Sequence, residues 1–137
     1  MNDDGGRRRN PAPTGRQDRI QIRDLLLRGI IGIKDEERQK RQDILINLVL
    51  WSDLRPAGRS DDIGDAVNYR TVTKAVIDLV ESTAYYTVER MAEQIARLIL
   101  TGHPVTEVEV TVEKPGALRF ARSVGVTIRR RREDLDR

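Results

Sequence analysis

The chain has 137 residues, of which 34% are charged and 4% aromatic, and a formal net charge of +3, which fits one domain of average size with tails. It has no cysteine and one histidine, His103, so disulfides and thiolate metal sites are excluded and a structural zinc site lacks its usual ligands. No apolar run reaches the length of a membrane span and the start lacks the hydrophobic segment of a secretory signal, so a cytoplasmic protein without membrane contact is expected.

Met1–Gln17 combines Asn, Asp, Gly, Arg, Pro and Thr with almost nothing apolar, which cannot repay the entropy of ordering. A disordered tail is expected over 1–17, a folded domain over 18–132 and a polar tail over 133–137. Ile20 and Ile22 alternate with Gln21 and Arg23, and the run through Ile33 continues as a first strand, expected to bend or bulge at Gly29 or Gly32. Lys34–Arg41 reads as a charged loop. Gln42–Leu54 predicts a second strand with Ile44, Ile46, Leu48 and Leu50 on one face and Leu45, Asn47, Val49 and Trp51 on the other. Both faces are partly apolar, which suggests that the second is covered by a neighbouring copy.

Arg55–Asp65 reads as a surface loop. Asn68 is the expected N-cap of a helix carrying Val72, Val76, Leu79 and Val80 to about Thr83. Thr87 is the expected cap of a second helix with Val88, Met91, Ala92, Ile95, Leu98 and Ile99 as its apolar stripe, stopped by Gly102 and Pro104. Val105–Glu113 and Val124–Arg130 complete the strands, the last with Val124, Val126 and Ile128 on its core face. The plan is α+β: a four-stranded antiparallel sheet with two helices on one face. The other face presents Glu107, Glu109, Thr111 and Glu113 and tolerates water. Two open sheet edges remain, and pairing them between copies predicts a ring-like, barrel-shaped homo-oligomer.

Polar groups at element ends are the candidates for chemistry. Pro115-Gly116 suits the centre of a type II turn, with Lys114 the last strand residue before it. Lys114 shares parity with Val108, Val110 and Val112 and so belongs at the rim of an apolar face. There it is either a desolvated acid/base or a lysine snorkelling from a core edge. Glu89 falls in the first turn of the second helix, where free N–H groups stabilise its carboxylate. It is either a helix-start stabiliser or a partner for an amidine-like edge through two parallel hydrogen bonds. Tyr69 begins a helix and is equally readable as a packed tyrosine whose hydroxyl reaches solvent, and Glu37 lies in the charged loop, where such a residue is most often solvated. His103 reads as a loop residue. Arg7-Arg8-Arg9 and Arg129–Arg132 would serve a nucleic-acid module, but the core between them is nearly charge-balanced and lacks interleaved aromatics, so no nucleic-acid partner is expected.

Gly32-Ile33-Lys34-Asp35-Glu36-Glu37, Val67-Asn68-Tyr69, Val88-Glu89-Arg90-Met91-Ala92-Glu93 and Glu113-Lys114-Pro115-Gly116-Ala117 together resemble, in order, the motifs of the dihydroneopterin aldolase family. The resemblance runs from about Arg19 to Arg130 and includes Val124-Gly125-Val126. It implies the tunnelling fold, with barrel rings stacked as an octamer and a pterin pocket between subunits. It further implies that Glu89 anchors the pterin 2-amino group and N3, with backbone near Val88 and Val67. Lys114 would act as general acid/base through a bound water, Tyr69 of the neighbouring subunit would handle a side-chain hydroxyl proton, and Glu37 would order the water.

The implied reaction is retro-aldol cleavage of dihydroneopterin to hydroxymethyl-dihydropterin and glycolaldehyde, a step of folate biosynthesis. No cofactor or metal is implied, since the reduced pterin's C=N bond accepts the electrons. Ile31–Asn47 and Asn68-Tyr69-Arg70-Thr71-Val72-Thr73-Lys74 lean toward a sister family, dihydroneopterin triphosphate epimerase, while Lys114-Pro115-Gly116 leans to the aldolase.

Overall fold

Alternating apolar residues become the sheet. In the computed structural model, which describes residues 18–136, β1 (Asp18–Ile31) pairs antiparallel with β2 (Gln42–Ser52). The expected tail Met1–Gln17, including Arg7-Arg8-Arg9, lies outside the described residues. β2 pairs with β4 (Glu107–Pro115), and β4 with β5 (Ser123–Arg131), both antiparallel. β3 (Ala84–Tyr85) adds a two-residue parallel strand to the end of β1, giving the order β3-β1-β2-β4-β5. The four expected antiparallel strands are present. β3 is an addition that two residues without periodicity could not announce.

The bulge in β1 is not at Gly29 or Gly32. Ile22 pairs with Leu48 and Leu25 with Ile46, so Arg23 and Asp24 together face Asn47. Asp24 adopts φ 55°, and its N–H donates to Asn47 Oδ1 at 2.8 Å. The extra residue resets side-chain parity: Ile20 and Ile22 point inward before it, and Leu25, Leu27 and Ile31 after it. Gly29 instead permits close packing, since a Cβ there would meet the Val80 carbonyl oxygen at 3.1 Å.

The helices cover one face of the sheet. α3 (Tyr69–Ser82) starts where expected, with the Asn68 side chain accepting from the N–H groups of Arg70 and Thr71. α4 (Val88–Gly102) is capped by Thr87, which accepts from the Arg90 N–H. Val72, Val76 and Val80 of α3 and Met91, Ile95 and Ile99 of α4 pack on Ile44, Ile46, Leu48, Leu50, Val108, Val110 and Val112, all buried. Each such side chain contributes about 1.5–3 kcal/mol of burial. The two expected loops contain short helices, α1 (Asp35–Gln39) and α2 (Arg55–Ser60), and Ile63–Asp65 forms a 3-10 turn. One turn is too short to show a helical stripe.

On the opposite face Glu107, expected to meet water, is 4% exposed. It pairs with Arg129 and with Arg131 (3.2 Å), and the Arg129 guanidinium lies 4.1 Å from the centre of the Trp51 ring. Arg130 binds Glu93 at 2.6 Å, and Arg132 donates to the Leu100 and His103 carbonyls. The arginine run is thus tied to carboxylates and backbone carbonyls of its own protomer. Val124, expected on the core face, is 40% exposed on β5, the edge strand of the sheet. Residues 132–134 form a 3-10 turn rather than starting a free tail, with the Leu135 carbonyl accepting from Arg97. Among the described residues no helix is long and apolar enough to cross a membrane.

Candidate active site

One end of the sheet gathers the chemistry. Ala84 and Tyr85 pair with Ile30 and Ile31, Gly29 pairs with Gln42, and Leu45 with Glu113. The end of β1, the start of β2 and Lys114 therefore share one end, and α4 begins three residues after β3.

Lys114 stands one residue before the end of β4, where the chain turns: Gly116 has φ 74° and the Ala117 N–H donates to the Lys114 carbonyl at 3.3 Å, as a Pro-Gly type II turn requires. Its Nζ donates to Glu37 Oε2 at 2.8 Å, and the two side chains are only 15% and 24% exposed. Glu37 is the third residue of α1, and its other oxygen accepts from the Lys34 N–H at 3.2 Å. The lysine hydrogen bond foremost, then the Lys34 N–H, holds the Glu37 carboxyl below the ordinary glutamate range. An ammonium fixed against a carboxylate can pass a proton to a bound molecule and take one back from that molecule or its water in a later step.

Because the folded-state pKa of Glu37 is depressed, its contribution to stability is fully present above the unfolded value of roughly 4.3 and is lost as pH falls through the lower folded value. Acid unfolding of Glu37→Gln is expected to lack this part of the pH dependence. Superimposable acid limbs for the two proteins would contradict it.

Gly32 has φ 131°, and a Cβ there would lie 2.3 Å from the Glu37 carboxylate. Only glycine lets the chain turn out of β1 under that side chain. Gly32→Ala is expected to cost about 1–3 kcal/mol, read as a lower thermal midpoint. An unchanged midpoint would show that the carboxylate moves freely aside.

The other candidates do not join this pair within one chain. Glu89 and Val88 open α4 at the same end of the sheet, and the Glu89 carboxylate is exposed without a side-chain partner among the described residues. Tyr69 is 56% exposed at the start of α3, and Val67, 6% exposed, precedes its cap. The far end of α3 lies near the pair, since Arg41 donates to the Glu81 carbonyl at 3.1 Å. A 14-residue helix therefore separates Tyr69 from that end by about 20 Å along its axis. His103 caps the remote end of α4 and is a loop residue, as read. Among the described residues no cluster of three or more His, Asp or Glu is placed to hold a metal.

Gly32, named from the sequence as a bend point, does turn the chain here. Arg38, which reaches from α1 to the Ala84 and Tyr85 carbonyls, escaped the sequence reading, because in sequence it is one charge among many.

Fold and pair define an α+β protomer of the tunnelling type with a lysine–glutamate couple at one end of its sheet. The chain belongs to the FolB dihydroneopterin aldolase family, whose model matches residues 20–129. It is 46% identical over 110 residues to a dihydroneopterin triphosphate 2'-epimerase of Pseudomonas aeruginosa, covering 80% of this chain and 89% of that protein. It is 41% identical over 100 residues to a dihydroneopterin aldolase of Streptomyces coelicolor, covering 73% and 84%. The crystal structure of E. coli dihydroneopterin aldolase in complex with neopterin superposes with a TM-score of 0.80 at 34% identity, covering 82% of this chain and 98% of that one.

Proposed function

We propose that the chain is a dihydroneopterin aldolase, cleaving dihydroneopterin to 6-hydroxymethyl-dihydropterin and glycolaldehyde. The observation that carries this reading is the Lys114–Glu37 pair, at the same end of the sheet as the α4 N-terminus with its free Glu89 carboxylate, in the fold of this family. Glu89 accepts two hydrogen bonds from the 2-amino group and N3 of the pterin, where first-turn N–H groups of α4 favour a carboxylate, and backbone near Val88 and Val67 completes that edge. Removal of the 2′-hydroxyl proton lets the C1′–C2′ bond break. Its electron pair enters the pterin C=N bond, and N5 takes a proton from Lys114 through a bound water. Glycolaldehyde leaves, and C1′ is protonated as N5 gives up its proton, which restores the C=N bond of the product. Glu37 holds the Lys114 side chain in place through their hydrogen bond and orders the water.

Tyr69 takes the hydroxyl proton from the neighbouring subunit. The roughly 20 Å of α3 between Tyr69 and the pair supports this assignment, as do the open edges of β5 and of the β3–β1 side. The proposed assembly is a homo-oligomeric ring, stacked as an octamer, with the catalytic unit spanning 18–132. The compartment is the cytoplasm, where a folate-pathway pterin is found.

A second reading is favoured by the 46% identity to an epimerase: the same bond breaks in dihydroneopterin triphosphate, and re-addition to the other face of the aldehyde inverts C2′. Incubating the protein with each substrate and separating the products decides between them. Glycolaldehyde from dihydroneopterin identifies the aldolase, and an inverted triphosphate without cleavage identifies the epimerase. No product from either overturns both.

A further inference from the structure

Arg38 follows Glu37 on α1, but its side chain leaves the charged surface and crosses to another element. Nη1 donates to the Gly32 carbonyl at 3.1 Å and the Tyr85 carbonyl at 3.0 Å, and Nη2 to the Ala84 carbonyl at 2.6 Å. The guanidinium also lies 4.1 Å from the centre of the Tyr86 ring. One side chain therefore serves three backbone acceptors and one aromatic face. The Tyr85 carbonyl additionally accepts from the Gly32 N–H at 3.2 Å, so the cation and the backbone grip the same oxygen. These acceptors belong to the two segments that matter for chemistry. Gly32 leads into the helix bearing Glu37, and Ala84–Tyr86 leads into α4, which opens with Val88 and Glu89.

We infer that Arg38 is a positioning residue, a clamp that sets the spacing between the Lys114–Glu37 couple and the pterin anchor at the start of α4. The inference rests on the proposed roles of those two groups. β3 has only two residues paired to β1, too few to hold the segment rigidly alone. A planar fork with several donors is the device that can bind adjacent carbonyls in fixed geometry, and lysine, a compact point charge with rotating donors on a flexible stem, cannot replace it. With the anchor intact, loosening the clamp leaves ground-state binding largely in place but lowers the fraction of bound substrate aligned with Lys114.

The test compares wild type with Arg38→Lys and Arg38→Gln in the full chain, with competent sites counted by fluorescence titration with neopterin. Normalising turnover to those sites removes any unfolded fraction. The expected result is a fall in kcat per site of about tenfold or more in both variants, with the neopterin Kd changed by less than about threefold. An unchanged kcat per site, or losses of binding and kcat in equal proportion, overturns the inference. A second readout does not use turnover: amide exchange at Gly32 and Lys34 should speed at least about tenfold in Arg38→Lys, while the β2 and β4 core amides keep their protection. Unchanged exchange there overturns the clamp even in an active enzyme. If wild type turns over neither pterin while the exchange result holds, the functional reading fails and the clamp stands.

Discussion

Lys114→Ala is expected to remove turnover while leaving pterin binding nearly intact. The lysine ammonium sits on the Glu37 carboxylate at 2.8 Å, and the proposed anchor for the pterin ring is a different group on a different element. A proton transfer of this kind is worth ~10²–10⁴-fold, so the loss should appear in kcat with little change in neopterin affinity. The truncation also leaves Glu37 with the Lys34 N–H but without its main partner. Some loss of stability near neutral pH is expected with it. Loss of binding as large as loss of turnover would move Lys114 into the anchor and contradict the division of labour.

Glu89→Ala is expected to have the opposite signature, with pterin binding abolished. Glu89 is free of side-chain partners among the described residues and stands in the first turn of α4, so its removal disturbs little of the fold. Two parallel charge-assisted hydrogen bonds to a planar edge contribute roughly 1.5–3 kcal/mol each, which places the variant at least about 10²-fold weaker in neopterin titration. Wild-type affinity in Glu89→Ala would show that the pterin is held elsewhere.

What sequence could reveal follows the range of each signal. Asn68 and Thr87 are local signals, each read against the next three residues, and both helices start where those caps put them. The parity of Lys114 with Val108, Val110 and Val112 is also local, and the lysine emerges at the rim of that buried face. The bulge in β1 was misplaced because glycine is the usual cue for irregular backbone, whereas Asp24 carries the positive φ and Asn47, 23 residues away, receives its N–H. The run Leu25-Leu26-Leu27 is apolar in both parities, so the shift from Ile20 and Ile22 to Leu25 and Leu27 was hidden in it. The contacts that build the site are longer in range still. Glu37 meets Lys114 across 77 positions and Arg38 meets Tyr85 across 47, and no periodicity reports a charged side chain's tertiary partner.

The length of α3 has a consequence for how such a protein must be handled. If Tyr69 serves a neighbour's Lys114, specific activity depends on protein concentration: dilution below the dissociation constant of the interface parts the two groups while each chain stays folded. Assays at nanomolar and micromolar protein then measure different molecules. A fall in activity per chain on dilution, reversed by reconcentration, is the mark of a centre that no single copy owns.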